Sequence, residues 1–329
     1  MSGTILITGA NGSLAIPTVE FLLTNYPEHT LLLTVRNPGG DDINTEKLRQ
    51  TIARFPKGKA TVRGLDLSKL TSVNTLANEL IAEIKTGKLP ALSSIIGNAY
   101  FWNLNKDTIT TSDGYEQTFQ INHLSHAALV LRLLGSFERS GGRVVLFSSD
   151  AHWPGKNGLE KIPVFIPSNL DELVFPEDKE PHDNMAQGFL KYAQSKLVVT
   201  MWVHALNRRL QRNNMSNITA IAVNPGNMTD SAALRKNTPA MVQFMSKWIL
   251  GPGRPLLRFL DPTMRTTKEA AVDIAEFATN KASPGEMGFF TMYKKDESSP
   301  DSQKENVQDD LWKKTVEWCR VRESALPLN

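Results

Sequence analysis

The chain has 329 residues, with 37 Lys+Arg against 34 Asp+Glu, six His and a single Cys. At roughly 150 residues per domain, that length allows one large α/β domain or two smaller ones. Its core is large enough to need no disulfide scaffold, which a lone Cys319 could not build in any case. The net charge of +3 comes from mixed signs, with no basic block to track a phosphate backbone, so nucleic acid is excluded as an expected partner. Met1-Ser2-Gly3 runs straight into Thr4-Ile5-Leu6-Ile7-Thr8 without a basic-then-apolar leader. Arg132 interrupts the longest apolar stretch, residues 127–134, far short of the ~20 residues of a membrane span. A soluble, cytoplasmic chain in a reducing compartment is expected.

Short β-branched or Leu-rich runs predict strands at residues 4–8, 30–36, 59–65, 93–98, 143–148, 217–223 and 288–293. Helical periods predict helices at 14–25, 45–55, 72–86, 111–138, 189–212 and 268–279. Strands apolar at consecutive positions are buried on both faces. Their alternation with helices predicts an α/β fold, a doubly wound parallel sheet of the Rossmann kind in one domain. Residues 1–296 are expected to form that domain, and 297–329 a polar, exposed tail ending in an amphipathic helix. Two excursions interrupt it: a Pro/Gly/acid-rich insertion at 151–185, and an apolar segment at 229–267 with the spacing of a cover over a site.

Taken in chain order, the first strand enters Thr8-Gly9-Ala10-Asn11-Gly12-Ser13-Leu14-Ala15 and then a helix. Glycine there allows a tight turn and close backbone approach to a pyrophosphate, whose charge a helix N-terminus favours. Gly9, Asn11, Gly12, Ser13 and Leu14 are the expected cradle; an ordinary capped β–α turn is the alternative. The second strand ends in Arg36-Asn37, and no acid lies between Thr30 and Gly40. Arg36 is either a receiver for a 2′-phosphate, favouring NADP(H) over NAD(H), or a solvated surface charge. Asp66 closes the third strand, where it contacts an adenine amino group or caps the next helix.

Asn122 falls inside a predicted helix, where such a residue competes with helical bonding. It marks either a bend or a polar group that holds a water beside Lys196. The fifth strand ends in Ser148-Ser149 at the sheet's carboxyl edge, where Ser149 can donate to a substrate carbonyl. Tyr192 and Lys196 stand four apart on one helix face. An ammonium beside a phenol favours the phenolate, so Lys196 is expected to make Tyr192 more acidic than its usual pKa of about 10. Alone, Tyr-x-x-x-Lys is a weak signal.

Together these residues give the chain a resemblance to the short-chain dehydrogenases/reductases, running from Thr4 to about Asp230. The matching features are the Gly-rich turn, Asp66-Leu67, Gly97-Asn98-Ala99, Asn122, Ser149, Tyr192/Lys196 and Asn224-Pro225-Gly226. The resemblance implies that Tyr192 is the general acid/base and that Ser149 orients the carbonyl. It also implies that Lys196 tunes Tyr192 and binds ribose, with Asn122 completing a proton relay. Asp66, Leu67, Asn98 and Ala99 would border the adenosine, and Pro225-Gly226 the nicotinamide. Gly97 and Tyr100 depart from the family's Asn-Asn-Ala-Gly run. The Ser149–Tyr192 gap is longer than the family norm; monomeric carbonyl reductases are similar in carrying such an insertion, which implies a monomer.

Tyr100, Phe101, Trp102, Trp153, Met241, Phe244, Met245 and Trp248 predict an apolar small-molecule substrate, with His152 as a polar rim. No histidine has the company of a metal site, so no metal is expected. The expected activity is NADP(H)-dependent reduction of a ketone or aldehyde to an alcohol, or the reverse, a setting in fungal secondary metabolism being implied by resemblance to fungal members. A nucleotide-sugar epimerase or dehydratase and a non-catalytic NADP sensor are the rival readings.

Overall fold

The computed structural model describes residues 2–177, 183–232, 236–245, 248, 258–322 and 326–328. Its elements follow in chain order as β1 (Thr4–Ile7), α1 (Ala15–Asn25), β2 (Thr30–Val35), α2 (Ile43–Ala53), β3 (Lys59–Gly64), α3 (Leu70–Lys85) and β4 (Leu92–Gly97). Next come α4 (Gln117–Phe119), a π-turn (Gln120–Leu124), α5 (Ser125–Leu133), β5 (Gly142–Phe147), α6 (Asn184–Arg212) and β6 (Ile218–Asn224). The chain closes through β7 (Asn227–Met228), α7 (Ala240–Met245), β8 (Met264–Arg265), α8 (Thr267–Ala278), β9 (Gly288–Thr291), β10 (Lys294–Lys295) and α9 (Glu305–Trp318).

Eight strands form one sheet in the order β10-β9-β6-β5-β4-β1-β2-β3, parallel throughout except for the β9–β10 hairpin. The two-residue strand period sends neighbouring side chains to opposite faces. Ile5, Ile7, Leu31, Leu33, Val145 and Ile221 enter one layer with Val19 of α1 and Ile274 of α8. Leu6, Leu32, Val144, Leu146 and Ala220 enter the other with Val73 of α3, Leu129 of α5 and Trp202 of α6. This is the doubly wound α/β sheet read from the sequence, in a single domain. The strand order reverses between β4 and β1, opening a crevice at the carboxyl ends of both. None of the described helices is long and apolar enough to cross a membrane.

Two expectations need correction. The helix predicted over 111–138 is regular only in part: the helical run spans 117–133 and widens into the π-turn at Gln120–Leu124. The stretch 297–310 is polar but only partly exposed: Glu297, Pro300, Gln303, Lys304, Glu305, Asn306 and Asp310 face solvent, whereas Ser298, Ser299, Ser302 and Gln308 are all at most 3% accessible. These residues satisfy one another and two histidines. Ser302 Oγ donates to Ser298 Oγ (2.7 Å), His204 Nε2 meets Ser298 Oγ (3.0 Å), and the Ser299 N–H donates to His152 Nε2 (3.0 Å). Composition shows polarity but not pairing, and a paired polar group is at home in a core.

Helix α9 then lies across α6, stacking Trp312 on Trp202 at 5.7 Å and 12°. It also closes the π-turn from behind. A π-turn leaves backbone groups short of helical partners; here the Cys319 S–H donates to the Leu124 carbonyl (3.2 Å) and Thr315 Oγ1 meets His123 Nε2 (2.9 Å). Burial pushes the Cys319 thiol up to about 12 and His123 down to about 3, so the thiol keeps its proton and the imidazole stays neutral.

Candidate active site

At the sheet's carboxyl edge the site begins with the glycine turn that follows β1. Gly9 has φ +59°, and a Cβ there would stand 2.9 Å from Ala99 Cβ and 3.0 Å from its Cα. Asn98 Nδ2 donates to the carbonyls of Thr8 (3.1 Å) and Gly9 (3.0 Å), fastening the turn to the end of β4. Asn11 is held from α2, its Nδ2 donating to Thr45 Oγ1 (3.0 Å) and Asp42 Oδ2 (3.2 Å). Leu14 begins α1 with no side-chain cap and no acid in the first turn. The helix N-terminus therefore keeps its positive end uncompensated by protein carboxylates. Gly9→Ala is expected to cost about 1–3 kcal/mol of stability through backbone strain and overlap. Denaturant unfolding checks this, and an unchanged midpoint would mean that the turn relaxes freely.

Around the turn, Arg36 follows β2 into solvent, and no described residue hydrogen-bonds or ion-pairs with its guanidinium. Asp66 is engaged within its own turn, accepting from the Ser68 N–H (3.0 Å) and Ser68 Oγ (2.6 Å), with Lys69 Nζ at 3.6 Å. These bonds close the turn ahead of α3 without capping the helix, whose N-cap is Lys69 with no side-chain cap bond; the buried Leu67 offers its carbonyl to Ser125 Oγ (2.6 Å). The absent side chain at Gly97 also has a use. A Cβ there would come within 3.1 Å of the His126 ring, which lies beneath the turn with Nε2 at 2.8 Å from Thr8 Oγ1. Pro225-Gly226 follows β6 at the same edge, with Gly226 at φ +82° and its N–H on Asn224 Oδ1 (3.1 Å).

Three elements deliver the remaining polar set. β5 ends beside Ser149, which caps a 3-10 turn over Asp150–His152. Its Oγ donates to Asp150 Oδ1 (2.8 Å) and accepts from the Ala151 N–H (3.2 Å). From α6 comes Tyr192, whose ionisation Ser149 influences, and Lys196 lies one turn further on with Nζ 5.4 Å from the Tyr192 ring centroid. Lys196 Nζ donates to the Phe147 carbonyl at 2.8 Å. Asn122, held in the π-turn, braces the group from the side. Its Oδ1 accepts from the Phe101 N–H (2.7 Å), while Nδ2 donates to the Phe101 carbonyl (3.0 Å) and Ser195 Oγ (2.9 Å). Ser195 in turn donates to the Tyr192 carbonyl at 2.6 Å. Ser195 belongs to no motif in the sequence, although its place three residues after Tyr192 puts it on the same turn of helix.

The ionisation pattern corrects one expectation. Tyr192 is held above its ordinary value, not below it: burial dominates, Ser149 opposes it, and Tyr100 and Asp150 add to the rise. Burial also pulls Lys196 down to about 7. Desolvation penalises the charged form of both groups, so the lysine loses much of the field that was to acidify the phenol. The group poised near neutrality is Lys196.

Of the aromatic residues, Trp102 meets Tyr192 directly, edge to face at 5.2 Å. The segment after β6 is fastened over it, with Trp102 Nε1 donating to the Lys236 carbonyl (3.1 Å) and Asn237 Nδ2 to the Trp102 carbonyl (3.2 Å). The same segment touches the glycine turn through Ser231 Oγ and Ser13 Oγ at 3.2 Å. Residues 233–235, 246–247 and 249–257 of the predicted cover lie outside the described residues. His152 is not a rim residue: it is 2% exposed, with Nδ1 at 2.6 Å from the Ser149 carbonyl. Among the described residues no three of His, Cys, Asp or Glu are grouped as a metal site would need.

Comparison with known proteins bears on the same arrangement. Residues 233–326 match the family model of the AcuH dehydrogenase domain. The chain is 27% identical over 322 residues to the short-chain dehydrogenase iccH of Talaromyces variabilis, covering 86% of each protein. It is 45% identical over 87 residues to the dehydrogenase acuH of Aspergillus aculeatus, covering 26% of this chain and 89% of that one. Its fold resembles that of NADPH-bound carbonyl reductase from chicken fatty liver, with a TM-score of 0.60 and 16% identity over 90% of this chain and 99% of that one. With these relatives, and with its glycine turn, serine, tyrosine and lysine gathered at one sheet edge, the chain belongs to the short-chain dehydrogenase/reductase family.

Proposed function

We propose that this protein is an NADP(H)-dependent oxidoreductase that reduces a ketone or aldehyde on an apolar small molecule to an alcohol. The observation that carries this reading is the convergence of Ser149, Tyr192 and Lys196 beside an uncapped helix N-terminus and a side-chain-free glycine turn. The residues present fit a dinucleotide. The cradle at Gly9–Leu14 would take the pyrophosphate and the unpaired Arg36 a 2′-phosphate, while Asn98-Ala99 would border the adenosine and Pro225-Gly226 the nicotinamide. When bound, the nicotinamide supplies or accepts hydride at the carbonyl carbon.

The chain's own residues handle the proton. A buried phenol with weakened acidity keeps its proton at neutral pH, so Tyr192 acts as the acid toward the oxygen of a carbonyl being reduced. Lys196, near 7, recharges it and holds a ribose hydroxyl. Asn122 fixes the helix turn that carries Tyr192 through Ser195. Trp102 forms an apolar wall beside the reacting oxygen and excludes water from it. A setting in fungal small-molecule metabolism accords with the fungal origin of the iccH and acuH relatives.

NADPH against NADH oxidation across ketones and aldehydes tests the reading, with NADPH expected to be preferred. Arg36→Ala is expected to raise KM for NADPH at least about tenfold, since a charge-assisted phosphate contact is worth roughly 1.5–3 kcal/mol, and to leave KM for NADH unchanged. An equal effect on both cofactors would remove Arg36 from the 2′-phosphate. We also propose a monomer, because α9 covers α6 through the Trp312–Trp202 stack; sedimentation at twice the chain mass would overturn it.

A further inference from the structure

The buried His126 ring stands where two turns meet, rising from the first turn of α5 to lie under the end of β1. Its Nδ1 is 3.3 Å from the Asn122 carbonyl. A carbonyl only accepts, so the ring proton sits on Nδ1. Nε2 is then bare, and it accepts the Thr8 hydroxyl at 2.8 Å. The Ile96 carbonyl, at 3.5 Å, is the poorer acceptor for that proton. With its proton committed to the ring, Thr8 Oγ1 turns a lone pair to the Ala99 N–H at 3.1 Å. The bonds thus run in one sense, from Ala99 through Thr8 and His126 to Asn122. Burial, opposed by the bond to Asn122 and helped by the charge of Lys196, pulls His126 down to about 4. The ring is therefore neutral at neutral pH, and the sense of the bonds holds.

Room for the ring comes from Gly97, where a Cβ would stand 2.6 Å from Leu146 Cδ2 and 3.1 Å from His126 Cδ2. Asn98 fastens the same crossing differently, through the carbonyls of Thr8 and Gly9, and leaves the Ala99 N–H to Thr8. Gly9 lies directly against Ala99, so a shift of Ala99 moves the glycine turn with it. We propose that His126 is a positioning residue for the dinucleotide: by accepting from Thr8 it sets the Ala99 N–H, and so holds the glycine turn and the Asn98-Ala99 corner at the spacing the cofactor spans. The inference rests on the oxidoreductase reading and adds a residue that reading does not use. Through Nδ1 the same ring reaches the π-turn, whose Asn122 side chain donates to Ser195 on α6. One imidazole therefore lies between the cofactor cradle and the brace of Tyr192.

Titration of the full, substrate-free chain with NADPH, read by fluorescence, tests this. His126→Leu fills the space without an acceptor, and the Kd is expected to rise at least about fivefold, the size of a buried hydrogen bond lost. His126→Gln returns an acceptor towards Thr8, and its Kd is expected within about twofold of wild type. Such rescue separates positioning from mere filling of the core. In a Thr8→Val background, His126→Leu is expected to add less than about twofold, because the bond it deletes is already gone. Wild-type affinity in His126→Leu, a Gln variant as weak as Leu, or full additivity with Thr8→Val overturns the inference alone. Should His126→Leu not fold, the imidazole 15N shifts of the unsubstituted chain decide: a proton on Nδ1 with Nε2 bare supports the inference, and a proton on Nε2 overturns it. Failure of the wild-type chain to bind NADPH removes the oxidoreductase reading and this inference with it.

Discussion

Tyr192→Phe is expected to lower kcat for carbonyl reduction by about 10²–10⁴-fold, the usual contribution of a positioned acid. The substitution deletes one oxygen and keeps the ring, so the edge contact with Trp102 (5.2 Å) and the packing on Phe189 (6.0 Å) survive. The brace from Asn122 through Ser195 ends on the Tyr192 backbone carbonyl, and a side-chain change does not disturb it. NADPH affinity, measured by titration of the free variant, is therefore expected to stay within about twofold, and the loss to fall in kcat. Steady-state kinetics beside that titration decide the matter. Activity retained within tenfold would defeat the assignment of Tyr192 as the acid.

Lys196→Met is expected to abolish turnover and, at acid pH, to make the protein more stable. The folded protein holds this ammonium at about 7 against 10.5 in the unfolded chain. Between those values the unfolded chain binds more protons, so stability from this group rises as pH climbs from about 7 to 10.5 and is lowest below 7. Each pK unit is about 1.36 kcal/mol, so the ammonium costs on the order of 4–5 kcal/mol below pH 7. Methionine removes that cost but strands the Phe147 carbonyl, which loses its 2.8 Å donor at about 1–3 kcal/mol. The net gain is roughly 2–3 kcal/mol at pH 6, vanishing or reversing near pH 10. Denaturant unfolding at both pH values checks it, and a variant less stable at pH 6 would contradict the burial argument. A destabilised lysine kept in a core fits a group retained for activity.

Much of the fold is legible because its strands are apolar on consecutive positions. Leu31-Leu32-Leu33 and Val144-Val145-Leu146 have no face to offer solvent, and seven predicted strands correspond to β1–β6 and β9. The candidate site is legible for a related reason: Gly9, Asn98, Ser149 and Pro225 all follow strands, and parallel strands end on the same edge. The ionisation of that site is not legible. Spacing places Lys196 beside Tyr192, but burial sets the sign of both shifts, and burial is a sum over the whole fold. The same holds for Ser298 and Ser299, whose partners His204 and His152 are about a hundred or more positions away in the chain. Asn122 is an intermediate case. Its oddity within a helix was visible, whereas the π-turn depends on Thr315 and Cys319 to complete it.

That dependence orders events during synthesis. A ribosome releases Gln120–Leu124 long before Glu305–Trp318, so the nascent chain can assemble its sheet while Leu124 still has water at its carbonyl. Until Trp312 arrives, the Trp202 indole lacks the ring that stacks on it in the finished fold. Translation that stops short of α9 leaves the phenol, serine and lysine all present on a platform that was never locked.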